Sequence, residues 1–205
     1  MTMEFIVPAL LSYLLGSIPS GLIFGKLLWN VDLREHGSHN IGATNAWRTL
    51  GKGPGILVFF LDFLKGFLSV WLGAYFSGSP TVMILCGILA ILGHSCSVFL
   101  RFKGGKGVAT GLGVIAMLMP LTTMLVFLIW LAIVFRTGYV SLGSCVAAVF
   151  VPVIAFLSGS PTEYILFGLA AAILILIRHR PNIIRLMNGT ESKIKAGHRQ
   201  RKGGK

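Results

Sequence analysis

The chain has 205 residues, 55% of them hydrophobic and 12% charged, with a mean hydropathy of +0.83. A soluble domain carries about 25% charged residues, so this composition excludes a soluble globular protein and leaves an integral membrane one. The formal net charge of +12 points to anionic partners, either lipid headgroups or phosphorylated substrates; without an aromatic-studded basic domain, nucleic acid is set aside.

Apolar runs fall, in chain order, at roughly 5–28, 55–76, 81–100, 108–135, 138–157 and 163–178, each near the ~20 residues that cross a bilayer as a helix. They predict an all-α membrane protein built as one compact bundle, with 1–195 a single transmembrane domain and 196–205 a basic C-terminal tail, expected to be disordered. No signal peptide is expected, because Met1-Thr2-Met3-Glu4 lacks a basic n-region. Gly16-Ser17-Ile18-Pro19-Ser20-Gly21 interrupts the first run. Small residues there suit close helix packing, which is preferred over a break that exposes backbone to a cavity. In the second run Asp62 and Lys65 lie one turn apart and read as a structural ion pair; the alternative is Asp62 reaching towards a substrate. Cys86, Cys96 and Cys145 lie in apolar segments without zinc-site spacing, so they read as small apolar fillers, with no disulfide and no metal.

The breaks between runs differ in charge. Residues 77–80 and 158–162 carry no Lys or Arg, whereas 29–54, 101–107 and 178–205 are rich in them. The positive-inside bias places the basic breaks in the cytoplasm, and Glu4, 77–80 and Glu163 outside. The run 108–135 must then return to the side on which it began. A hairpin of two short helices bent near Met119-Pro120 meets that requirement. It gives seven transmembrane helices, with the N-terminus outside and the C-terminus cytoplasmic. Halves of ~13 residues would reach only ~20 Å of a ~30 Å core. Five spans, with 138–178 as one long kinked element, is the alternative of the same parity.

Three polar clusters share the cytoplasmic face. The first is Gly37-Ser38-His39-Asn40-Ile41-Gly42-Ala43-Thr44-Asn45-Ala46-Trp47-Arg48. Ser38, Thr44 and Asn45 can donate to phosphate oxygens, Asn40 belongs to the same donor set, and Arg48 can grip a phosphate bidentately. The second is Arg101-Phe102-Lys103-Gly104-Gly105-Lys106-Gly107, directly before an apolar helix and close after His94. Glycines let backbone N–H groups approach an anion, and a helix N-terminus adds partial positive charge. The spacing is not that of a Walker A motif, because Gly107 follows Lys106, so a nucleoside triphosphate is not implied. The third runs from Arg178-His179-Arg180-Pro181-Asn182 through Arg185 to Glu191. Their common face predicts one cationic site for a water-soluble and a lipid-soluble phosphate.

These stretches together resemble the bacterial acyl-phosphate-dependent glycerol-3-phosphate acyltransferases, an integral membrane family. The matching residues are G-S-x-N-I-G-A-T-N-x-x-R at 37–48, D-x-x-K-G at 62–66, G-H-x(7)-F-K-G-G-K-G-V-A-T from 93 to 110, and H-R-x-N-I-x-R-L-x-x-G-T-E from 179 to 191. One position departs: Ser97 stands where the family usually has proline, which should affect local backbone shape rather than chemistry. The resemblance implies transfer of a fatty acyl group from acyl phosphate to the 1-hydroxyl of glycerol 3-phosphate, giving lysophosphatidic acid and phosphate. It also implies a seven-helix fold in the bacterial inner membrane with a cytoplasmic site and no cofactor. Ser38, Arg48, Lys106, His179 and Asn182 would be the catalytic set. Gly104, Gly105 and Gly107 would hold the acyl phosphate, with Asn40, Thr44, Asn45, His94, Lys103 and Arg185 as further substrate-binding residues. Glu191 would be mainly structural. Docking of a peripheral acyl-phosphate-producing enzyme on the basic face stays open.

The attacking hydroxyl needs a proton acceptor. None of His36, His39, His94, His179 and His198 has an Asp five residues later, the familiar acyltransferase arrangement. Either His179 is the base, or a substrate phosphate oxygen takes the proton and His179 positions glycerol phosphate; the second is preferred, since phosphate is a good leaving group. A transporter of a phosphorylated solute is the rival class, and it would call for an inverted repeat, which is not evident.

Overall fold

The computed structural model describes residues 2–194 as ten α-helices and one 3-10 turn, with no strand among the described residues; the tail at 196–205 lies outside them. The first run is two helices, α1 (Thr2–Ser17) and α2 (Ser20–Trp29), bent by 42° at the Gly/Pro interruption. A short amphipathic helix, α3 (Ala43–Leu50), precedes the long α4 (Lys52–Ser77). Next come α5 (Pro80–Ser95), a 3-10 turn at Val98–Leu100, and α6 (Val108–Leu118). The chain continues through α7 (Pro120–Thr137), α8 (Val140–Leu157), α9 (Thr162–Arg178) and α10 (Arg180–Met187).

Four helical segments are long and apolar enough to cross a membrane, and six are when each bent pair counts as one; α6 is a further apolar helix of 11 residues. The break expected near Met119-Pro120 occurs there, but its two parts are unequal. α6 rises only ~16 Å, whereas α7, with 18 residues, rises ~27 Å. Expecting two short halves was therefore wrong: the helix after Pro120 runs on to Thr137 before Gly138 ends it. The alternative reading of 138–178 as one long kinked element also fails. α8 and α9 are separate helices that pack side by side, with Val151, Ala155 and Phe167 in one core.

Lipid is as apolar as a leucine side chain, so helices in it associate through close packing and hydrogen bonds rather than hydrophobic burial. α4 and α6 show the first device. A methyl group on Gly66 would collide with the Thr110 carbonyl, and one on Gly113 with the Phe63 carbonyl. The two backbones touch. α1 shows both devices: Gly16 packs on the Ala90 backbone, and the bend after it is stitched by side chains. Lys65 Nζ donates to the freed Ile18 carbonyl (3.0 Å), and Ser97 Oγ donates to the Ser17 carbonyl (2.6 Å). Packing is thus the role of the interruption, as expected. The departure at Ser97 supplies a hydrogen bond that proline could not. Lys65 also pairs with Asp62 at 2.9 Å, both side chains almost fully buried, which is the structural ion pair the sequence predicts.

α1, α4, α5 and α6 pack as one group, and α7, α8 and α9 as another, with sparser contact between them. The seam between the groups, roofed by α3, α10 and their loops, positions the site. Gly66→Val, which drives a side chain into the α6 backbone, should cost about 3 kcal/mol, read as a lower unfolding temperature of the detergent-solubilised protein. Gly53→Ala, at a position with open space around it, should leave that temperature nearly unchanged.

Candidate active site

The loop before α3 is organised from inside by one amide. Asn45, 1% exposed, accepts the Ser38 N–H at Oδ1 (2.9 Å), and its Nδ2 lies 2.8–3.0 Å from the carbonyls of Asn40, His36 and Leu33. Its two hydrogens already serve three acceptors, so Asn45 shapes the loop, and the phosphate-donor role expected for it is not open. Asn40 Oδ1 accepts the Gly42 N–H (2.9 Å) and sets the turn into α3. On the outer side, Asp32 is held by Arg34 (2.6 Å) and Lys26 (3.0 Å), and Arg34 keeps its carboxyl well below the usual range. Arg48 reaches across from α3: its Nη2 donates to the Ser192 carbonyl, while its buried Nε has no partner among the described residues.

The glycine–lysine loop folds back onto the end of α5. Gly104 donates its N–H to the Ser95 carbonyl (3.1 Å) and Gly105 to the His94 carbonyl (3.0 Å). These two N–H groups are therefore not available to an acyl phosphate, which corrects the role expected of them. Glycine is needed for a different reason: a methyl group at 104 would strike the His94 backbone, and one at 105 the His94 ring. Arg178 clamps the arrangement by donating to the carbonyls of Gly105 (2.7 Å) and Ser95 (3.0 Å). Gly107, at φ +79°, turns the chain into α6. The first-turn N–H groups there, beyond reach of any intrahelical carbonyl, begin next to Lys106.

The third segment bends by 61° between α9 and α10, at His179. His179 is 3% exposed, and its Nδ1 lies 2.8 Å from the Ile175 carbonyl. That partner is an acceptor, so Nδ1 carries the hydrogen and the neutral ring keeps its lone pair on Nε2. Asn182 accepts Lys106 Nζ at Oδ1 and donates from Nδ2 to Glu191 Oε1 (2.8 Å). Glu191 also accepts Ser141 Oγ (2.8 Å) and Arg185 Nε (2.7 Å). Burial pushes the Glu191 carboxyl up, but the hydrogen bonds from Asn182, Ser141 and Arg185 outweigh it and hold the group below its ordinary value. Burial pulls the Lys106 ammonium down to about 8; Glu191 opposes this, while Arg185 and Arg48 add to it.

All three segments border one cavity of about 170 Å³, far more than the ~15 Å³ that holds a single water on such a measure. Its polar end is lined by Ser38, Asn40, Thr44, Asn45, Arg48, Lys106, Gly107, His179, Asn182 and Glu191, with Asp62 and His94 beside them. Asp62 thus lines the cavity as well as pairing with Lys65. Its Oδ1 lies 3.8 Å from His94 Nδ1. The other end is apolar and runs between α6, α7, α8 and α9. A cavity with a cationic head and an apolar tail fits an amphiphile carrying phosphate.

A family model described as glycerol-3-phosphate acyltransferase matches residues 6–189. The chain belongs to the glycerol-3-phosphate acyltransferase family. A relative of that name from Syntrophomonas wolfei is 48% identical over 184 residues, 90% of this chain and 94% of its own. "Glycerol-3-phosphate acyltransferase 2" from Moorella thermoacetica is 46% identical over 93% of this chain and 97% of its own. The crystal structure of PlsY (YgiH), an integral membrane glycerol 3-phosphate acyltransferase in its glycerol 3-phosphate form, superposes with a TM-score of 0.87 at 43% identity, over 92% of this chain and 94% of that one. Its lysophosphatidic acid form gives 0.85 at 41% identity. The chain is accordingly a multi-pass membrane acyltransferase, and the transporter alternative falls.

Within this acyltransferase, four expected substrate-binding residues stand apart from the cavity. Lys103 is exposed, and Arg185 is turned to Glu191; neither lines the cavity, nor do Gly104 and Gly105. Three contributors were missed. Ser141 and Ser144, one turn apart in an otherwise apolar helix, line the site, and that spacing was a usable signal. Arg178 reads as an ordinary helix-end cation but is the clamp of the glycine loop. The strap Ser192–Ile194 is pinned by Arg48, by the Ile194 N–H to the Gly138 carbonyl (2.7 Å), and by Lys193 over the Tyr139 ring at 5.3 Å; no local pattern announces it. Since kcat/KM reports groups of the free enzyme, it should fall about tenfold per pH unit above about pH 8, as Lys106 loses its proton. Lys106→Arg, protonated throughout, should abolish that alkaline limb in whatever activity it retains; an unchanged limb would show that another group titrates.

Proposed function

We propose that this enzyme transfers a fatty acyl group from acyl phosphate to the 1-hydroxyl of glycerol 3-phosphate, at a site on the cytoplasmic side of the bacterial inner membrane. The observation that carries the reading is the single cavity joining Ser38, Arg48, Lys106, His179 and Asn182 to an apolar groove. The α1/α2 pair together with α4, α5, α6, α7, α8 and α9 would make seven spans, with the N-terminus outside. The basic composition of the segments around the cavity supports that orientation.

The acyl phosphate lies with its phosphate against Lys106 and the first turn of α6, and its chain in the groove. Glycerol 3-phosphate lies near Arg48, Ser38 and Thr44. Two phosphates at close range repel, and Arg48 and Lys106 offset that repulsion. The 1-hydroxyl oxygen attacks the acyl carbonyl carbon, the carbon–oxygen bond to phosphate breaks, and inorganic phosphate leaves. Lys106, fixed by Asn182, and the α6 N-terminus stabilise the charge developing on phosphate and carbonyl oxygen. The hydroxyl proton passes to a substrate phosphate oxygen. His179, whose Nε2 lone pair can accept a hydrogen bond from glycerol, positions the nucleophile. A peripheral enzyme that makes acyl phosphate would have the exposed basic face as its docking surface.

Purified protein given palmitoyl phosphate and glycerol 3-phosphate should release phosphate and form lysophosphatidic acid, whereas palmitoyl-CoA or acylated carrier protein should yield no product. Product from palmitoyl-CoA alone would refute the donor assignment. His179→Gln, which keeps a hydrogen-bonding side chain without a base, should raise KM for glycerol 3-phosphate about tenfold, the order expected for one lost polar contact, and leave measurable turnover. Loss of turnover at every pH with substrate binding intact would make His179 the base.

A further inference from the structure

From the residues of its polar end to its far end, the cavity has a defined depth. On α8 its lining runs from Ser141 through Ala148 to Val151, and on α9 from His179 through Ala172 to Gly168. These stretches advance ten and eleven residues, ~15 and ~16 Å at 1.5 Å per residue. Two helices thus form walls of equal length between the cationic head and a common end. The small side chains of Ala147, Ala148, Ala171 and Ala172 leave space beside these walls. At Gly168 the helices close: an added methyl group would stand 3.0 Å from Val151 Cγ1 and 3.6 Å from the Pro152 backbone. Beyond that point Ala155 and Phe167, 0% and 4% exposed, continue a sealed core with Leu118 and Met119.

The occupant must join a phosphate head to an apolar tail, because the groove is continuous with the cationic end. Beside the polar end sits His94, 5% exposed, whose Nδ1 has no hydrogen-bond partner among the described residues and faces Asp62 Oδ1 at 3.8 Å.

Resting on the reaction proposed above, we infer that this groove is a ruler for the acyl chain, with Val151 and Gly168 as its floor and Ala148 on its wall. Carbon–carbon bonds of ~1.5 Å at near-tetrahedral angles advance about 1.25 Å per carbon in a zigzag chain, so about 12 or 13 chain atoms, those joining head to chain included, reach from the polar end to the floor in extended form. Longer chains must bend or push the floor. A bulkier residue at Ala148 raises the stop by about one helical turn, and a smaller one at Val151 lowers it.

The test measures kcat/KM for octanoyl, lauroyl and palmitoyl phosphate with the full chain in lipid nanodiscs, at fixed glycerol 3-phosphate. Ala148→Leu should keep its octanoyl activity within about threefold and lose at least about tenfold on palmitoyl phosphate, in line with the cost of a methylene that no longer fits. Val151→Ala should raise the palmitoyl-to-octanoyl ratio about threefold or more. If Ala148→Leu is inactive at every length, Val151→Ala decides. A Val151→Ala profile identical to that of the unmodified enzyme, or differing by one common factor at all lengths, overturns the ruler while leaving the reaction standing. Absence of phosphate release from the unmodified enzyme with all three donors overturns the reaction and the ruler with it.

Discussion

A half-buried ammonium with no carboxylate of its own holds this site together. Lys106 sits where a loop enters a helix, and its hydrogen-bond partner is Asn182, 76 residues further on. Asn182 can present its oxygen to Lys106 because Glu191 takes its nitrogen, and Glu191 is fixed by Ser141 and Arg185. Satisfying one cation in this way ties the glycine loop, the start of α8 and the segment after α9 into one network. A direct Lys–Glu pair would neutralise the charge. An intervening amide leaves Lys106 cationic towards the cavity and lets Glu191 act at one remove, which suits a group that must meet phosphate.

The membrane dictates how the scaffold carries that network. Without a hydrophobic drive between helices, backbone contact at Gly66 and Gly113 fixes α6 against α4, and its N-terminus with it. α6 is too short to match a full bilayer core. Its first turn borders the cavity through Gly107, Val108 and Ala109, next to Lys106. The bend in the first run is likewise compensated: the carbonyls it frees at Ser17 and Ile18 are taken by Ser97 and Lys65.

Much of this was legible in the sequence, for identifiable reasons. Apolar run length and the basic breaks gave an all-helical membrane bundle, and Pro120 gave the break after α6. Residue type and spacing drew together Ser38, Arg48, Lys106, His179 and Asn182, which the structure brings to one cavity. What could not be read was direction. A loop asparagine and a loop glycine look the same whether they donate to a ligand or to the protein, and the N–H groups of the Asn45 side chain and of the Gly104 and Gly105 backbone are taken by protein carbonyls. Unequal division of the run 108–135 was hidden because both sides of Met119 are equally apolar. The strap at 192–194 is held by tertiary contacts alone and has no signature in one dimension.

That strap and Glu191 lie after the last long apolar helix. A chain made and inserted from its N-terminus has all its membrane helices before it has the residues that orient Asn182, and through it Lys106. Insertion into the bilayer and catalytic competence are thus separate events in the life of the molecule. A nascent chain lodged in the membrane would be inert until its final segment folds back onto the bundle.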